Sequence, residues 1–172
     1  MVSRLCRKYS IPTIEIVHRE ELVEKLILDG SQIVLNSDDS QFQEKLTQQV
    51  HSLGIQYAID AVGGKLTGQL IEAMPTQSEV VVYGVLSGQN CEVNPGELIF
   101  KDSVVRGFWL SFWLDKKNPL EKARLFYDLK RFLETEGKTK VARTLSFSEA
   151  IEELRNPKGQ DSIGKTLILP QI

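Results

Sequence analysis

"VVVYGVLSG", Val80 to Gly88, runs three β-branched residues into Tyr-Gly and a small polar loop. The continuous apolar run suits a strand covered on both faces, as in a parallel sheet. Just before it, "YAIDAVGG" (Tyr57 to Gly64) enters as another strand and leaves through paired glycines, and Lys65 to Ala73 has the spacing of a helix. Further back, "TIEIV" (Thr13 to Val17) is a short strand bounded by Pro12 and His18-Arg19. "REELVEKLILDG" then puts Leu22, Val23, Leu26 and Ile27 on one helical face and closes on Gly30. "QIVLN" (Gln32 to Asn36) follows as a strand, and Ser40 with Gln43 reads as a capping box opening a helix through Val50 to about Gly54. Four βα units with strands at Thr13–Val17, Gln32–Leu35, Gln56–Asp60 and Glu79–Tyr83 predict an α/β fold, a doubly wound parallel sheet with right-handed crossovers.

Beyond Gly88 the pattern loosens. A loop with Asn94, Pro95 and Gly96 leads to "LIFKD" and then to "VVRGFWLSFWL". There Phe108, Leu110, Phe112 and Leu114 alternate with Trp109, Ser111 and Trp113, a period that fits a two-sided strand. Asn118-Pro119 occupies the N-cap and N1 positions of a long helix ending near Gly137. "KVARTLSF" reads as a strand, Ser146 with Glu149 caps a helix that Pro157 helps to stop, and "GKTLILP" (Gly164 to Pro170) is a final strand.

A chain of 172 residues, 41% hydrophobic and 26% charged, has the composition of one globular domain. Its net charge of −2, with both signs interspersed, provides no basic field for nucleic acid or anionic lipid, so neither nucleic acid nor membrane is an expected partner. Cys6 and Cys91 are isolated and two histidines do not complete a zinc set, so no metal is expected and the thiols read as reduced, in an intracellular protein. Arg4, Arg7 and Lys8 precede the first acid, Glu15, which superficially resembles a transit peptide.

In doubly wound sheets ligands sit outside the carboxyl ends of the strands. The residues there are His18 and Arg19, Asn36 and Ser37, Ala61 to Gly64, Tyr83 to Gly88, and Phe108 to Leu110 if the late apolar run is a strand. Arg19 stands where dinucleotide folds meet the adenosine ribose, and a cation there suits a 2′-phosphate; equally, it begins a surface helix. His18 more simply caps or is solvated. Gly63 and Gly64 let the chain turn closely under a ligand or serve an ordinary strand-to-helix turn, and Tyr83, Gly84, Val85 and Leu86 offer backbone groups to a flat amide-bearing ring. Nothing supplies a nucleophile with its base, so no catalytic residue is identified. Asp60 is expected to close its strand and bond local backbone, and His51 to lie on a solvated helix face.

"DAVGGKLTGQLIEAMP", "VVVYGVLSG", "LIFKDSVVRGFWLSFWL" and "GKTLILP" together resemble the cofactor domain of zinc-lacking medium-chain dehydrogenase/reductases. The branch most similar holds quinone oxidoreductases and mitochondrial trans-2-enoyl-thioester reductases. The resemblance implies a Rossmann-like domain, NADPH as hydride donor, reduction of an enoyl thioester or quinone, and a homodimer formed through Val104 to Leu114. It implies cofactor contacts at His18 and Arg19, at Gly63, at Tyr83 to Leu86, at Phe108, Trp109 and Leu110, and at Lys165. By the same resemblance "MVSRLCRKY" is the helix after a glycine-rich turn. The turn, the central strand before it and a substrate domain are not in the sequence, so a part of a larger reductase is expected, mitochondrial or cytoplasmic, acting on a small-molecule acceptor only when complete. On its own the polypeptide is expected to bind NADPH weakly or not at all. The alternative is a non-enzymatic α/β interaction module retaining the dimer edge.

Overall fold

The computed structural model describes residues 1–138, 141–156 and 164–170. Pro157, expected to stop a helix, lies outside them. Helix α1 (Val2–Lys8) precedes four strand-helix units: β1 (Ile14–Val17) with α2 (Glu20–Leu28), β2 (Ile33–Asn36) with α3 (Phe42–Leu53), β3 (Tyr57–Asp60) with α4 (Lys65–Ala73), and β4 (Glu79–Val82) with α5 (Pro95–Lys101). Then come β5 (Val104–Gly107), α6 (Leu110–Asp115), α7 (Pro119–Glu134), β6 (Val141–Ser146), α8 (Phe147–Arg155) and β7 (Lys165–Leu169).

Every ladder is parallel, as the βα alternation requires. The strands form three sheets: β1-β2, β3-β4-β5 and β6-β7. Among the described residues β1 pairs only with β2, and β3 only with β4, so each keeps one unpaired backbone edge. This matches the expected sheet without a strand at its centre. Side chains bridge the break instead. Phe42, Leu46 and Val50, spaced four apart on α3, meet Leu70, Ile71 and Ala73 of α4 and Val80 of β4 in one buried cluster. Ile14, Ile16 and Leu35 approach it from one sheet, and Ala58, Val82 and Val105 from the other.

The turn chemistry explains most boundaries. After α2, Gly30 N donates to Ile27 O and Ser31 N to Leu26 O, the paired closure of a Schellman turn. Asn118 and Glu121 form a reciprocal capping box with Pro119 at N1, and Ser146 and Glu149 form another. Backbone N–H groups of Asn118 and Ser146 hold the Glu121 and Glu149 carboxyls below their ordinary value. Both caps therefore add stability that is present at neutral pH and fades as acid protonates the carboxylates.

Three expectations need correction. The Ser40–Gln43 capping box does not form: α3 starts at Phe42 because Asp39 captures the Gln41 N–H in a tighter turn, while Gln43 Nε2 donates to Gln69 O. The loop at Asn94 to Gly96 opens helix α5, with Asn94 accepting from Gly96 N and Pro95 in the first turn. The run Val104 to Leu114 is a strand only to Gly107. Phe108 N to Val82 O is its last bond to β4, which itself ends at Val82, so later residues have no ladder to join. Trp113 N then donates to Trp109 O, and aromatic pairs at helical spacing (Trp109–Phe112 stacked at 6.4 Å) replace the expected alternation.

Helix α1 buries no residue and is held by charge. Arg4 bonds the Asp29 carboxylate at 2.8 Å and Lys138 O at 2.9 Å, and Arg7 donates to Asp29 O and Gly30 O at the carbonyl end of α2. Lys8 lies 3.3 Å from the Glu136 carboxylate. The early basic residues thus have structural partners. No described helix is long and apolar enough to cross a membrane.

Candidate functional site

The carboxyl ends of β3 and β4 are stitched into one unit. Tyr83 N donates to Asp60 O (2.9 Å), Leu86 N to Ala61 O (3.1 Å) and Ser87 N to Val62 O (3.0 Å). Ser87 Oγ adds a second bond to Val62 O at 2.7 Å, and Glu92 N donates to Gly64 O. Gly84 is required by this closeness: a Cβ there would stand 2.5 Å from Ala61 O and 3.2 Å from Ala61 Cα. At the front of the unit Tyr83, Val85 and Leu86 project outward, more than half exposed. An apolar rim on a rigid backbone loop is suited to a planar ligand.

Gly63 and Gly64 both take positive φ, 73° and 64°, so the strand-to-helix turn cannot be built from most residues. Their outer face is covered by the chain itself, with Ser87 Oγ 3.1 Å from where a Gly64 Cβ would sit. Asp60, expected to bond local backbone, does so: its carboxylate accepts from Val62 N, Gly63 N and the Thr67 hydroxyl.

The other expected residues fall into two groups. Arg19, partly buried, is the N-cap of α2 at the tip of β1, beside exposed His18. Phe108 and Trp109 form the exposed turn between β5 and α6 and Leu110 opens α6, at the same strand ends as Tyr83. Lys165 stands apart as the first residue of β7, on the separate two-stranded sheet. His51 is exposed on α3, as expected. Sequence reasoning missed how Ser87 and Glu92 lock the two turns together; the signal was the pair of glycines facing a second glycine-bearing loop. It also missed Thr67, whose only sequence mark is its place three residues into α4.

Among the described residues no group of three or more His, Cys, Asp or Glu is placed to hold a metal, and both cysteines are free.

The family model "Zinc-binding dehydrogenase" matches residues 5–124. The mitochondrial enoyl-[acyl-carrier-protein] reductase of Caenorhabditis elegans is 31% identical over 130 residues, 74% of this chain and 37% of that protein. A Mesorhizobium loti protein proposed to be an NADPH:quinone reductase superposes with a TM-score of 0.79 at 28% identity, over 98% of this chain and 49% of its own. The mitochondrial 2-enoyl thioester reductase heterodimer of Candida tropicalis shares the fold, with a TM-score of 0.71 at 19% identity over 96% of this chain and 49% of its own. The chain thus spans half or less of the length of each of these relatives. With Rossmann-like parallel ladders, helices on the strand crossovers and a matched stretch running from α1 into α7, the chain belongs to the zinc-binding dehydrogenase family.

Proposed function

We propose that the chain is the nucleotide-binding part of an NADPH-dependent reductase that delivers hydride to an enoyl thioester or a quinone. The observation that carries this reading is the stitched pair of turns after β3 and β4, whose exposed rim of Tyr83, Val85 and Leu86 sits at the strand ends where dinucleotides lie. The names of the relatives support the same chemistry. In this reading Tyr83 to Leu86 and Phe108 to Leu110 flank the nicotinamide and its ribose, Gly63 shapes the turn from beneath, Arg19 with His18 meets the 2′-phosphate, and Lys165 contributes from the last strand. The bound cofactor supplies the hydride. This chain's residues hold its ring and ribose and keep water from the reacting face.

Titrating the ¹⁵N-labelled protein with NADPH is expected to shift the amides of Arg19, Gly63 and Tyr83 to Leu86. Arg19→Ala is expected to weaken NADPH about tenfold or more while leaving NADH unchanged, because only the 2′-phosphate loses a charge-assisted partner. Absence of any shift at millimolar NADPH would overturn this reading and favour a non-enzymatic interaction module.

Dimerisation belongs to the same proposal. The outer edge of β5 is unpaired among the described residues, and Val104, Phe108, Trp109, Leu110 and Phe112 beside it are 39–69% exposed. A second copy covering this edge would pair the strand and bury the aromatics. Sedimentation at tens of micromolar is expected to give a dimer, and Phe112→Glu to raise its dissociation constant about tenfold or more. A monomer at that concentration would sink the dimer.

A further inference from the structure

We propose that Asp60 is the positioning residue of this site: its buried carboxylate, with Thr67, fixes the two turns that the dinucleotide would rest on. The proposal rests on the nucleotide-binding reading above. Asp60 ends β3 at 1% exposure and Thr67 is 0% exposed. One carboxylate oxygen accepts from Val62 N at 2.7 Å and Gly63 N at 3.1 Å; the other accepts from Thr67 Oγ1 at 2.7 Å. A carboxylate so deeply buried is tolerable only when its oxygens are this well bonded. The bonds set the direction of the backbone that follows. Residues turned by Asp60 are the ones that grip the next strand's loop, since Ala61 O takes Leu86 N and Val62 O takes both Ser87 N and Ser87 Oγ. Asp60's own carbonyl takes Tyr83 N. One side chain therefore sets both halves of the cradle, and Thr67 ties it to the first turn of α4.

The chemistry needs one acceptor for the two backbone N–H groups and a second polar atom to bond the Thr67 hydroxyl, rather than a charge as such. Asparagine meets the requirement by keeping its oxygen on the two backbone N–H groups and turning its amide to the Thr67 hydroxyl oxygen. Alanine leaves three donors without an acceptor.

Amide hydrogen exchange on the full chain, together with NADPH shift titration, tests this. Asp60→Ala is expected to speed exchange at Val62, Gly63, Leu86 and Ser87 about tenfold or more, with Leu46 and Val50 on α3 unchanged. Its NADPH affinity is expected to fall by about the same factor, whereas Asp60→Asn stays within about threefold of the parent in both readouts. Thr67→Val is expected to give an intermediate loss and Thr67→Ser none, a pair that decides the matter should Asp60→Ala fail to fold. Unchanged exchange at those four amides, or equal damage from Ala and Asn, would overturn the proposal. If the parent protein takes no NADPH, the nucleotide reading fails while the exchange arm still decides whether Asp60 sets the turns.

Discussion

Gly68→Ala is expected to cost about 3 kcal/mol of stability, reversing the sign this exchange normally carries. In an ordinary helix interior alanine is better than glycine by about 1 kcal/mol. In α4 a Cβ at position 68 would stand 2.1 Å from the Glu92 carbonyl oxygen and 3.3 Å from its carbon. The obstacle is backbone, and it is anchored, because Glu92 N donates to Gly64 O and Ser87 to Val62 O just before it. Relief requires the 87–92 segment to lift off the turn, giving up those bonds. Urea unfolding measures the change as a lower midpoint with an unchanged slope. A midpoint equal to or above the parent's would mean that this segment does not pack on α4.

Ile71→Ala is expected to remove about 3 to 4 kcal/mol, a large part of what holds an ordinary domain. Ile71 is 0% exposed in the cluster that α3, α4 and β4 build, against which side chains of the β1-β2 and β3-β4-β5 sheets pack. Those neighbours are fixed by their own ladders and helices, so the space left by three missing carbons closes only in part. Tyr57→Ala is the matched control. Tyr57 is 71% exposed on β3, and its loss is expected to stay within about 0.5 kcal/mol. Equal effects from the two would place the core elsewhere.

The strand-helix order was legible because period-2 and period-3.6 runs are separated by glycines that end helices, as at Gly30 and Gly54. The strand from Glu79 and the helix Lys65–Ala73 come out within a residue of the expected bounds. The stretch after Gly88 was harder. Asn94-Pro95 carries the same cap-and-first-turn signal as Asn118-Pro119, yet the short apolar helix behind it has too few turns to display a period. "GFWLSFWL" fits both periods, and what decides is tertiary: β4 turns away at Tyr83-Gly84, so its neighbour loses its ladder partner after Phe108. The site's location at the strand ends follows from fold logic. Its bonding pattern does not, since no residue-type rule says that Ser87 reaches across to Val62.

Each of the parallel ladders pairs residues only roughly 19 to 25 apart in sequence: Ile14 opposite Ile33, Tyr57 opposite Glu79, Glu79 opposite Val104, Val141 opposite Lys165. The loops closed by these ladders are short, so their closure entropy is met in small instalments. Across the break between β1 and β3 the described residues are joined through the shared side-chain cluster of α3, α4 and β4. Opening either half-sheet uncovers the cluster on which the other rests, so the two are expected to open together.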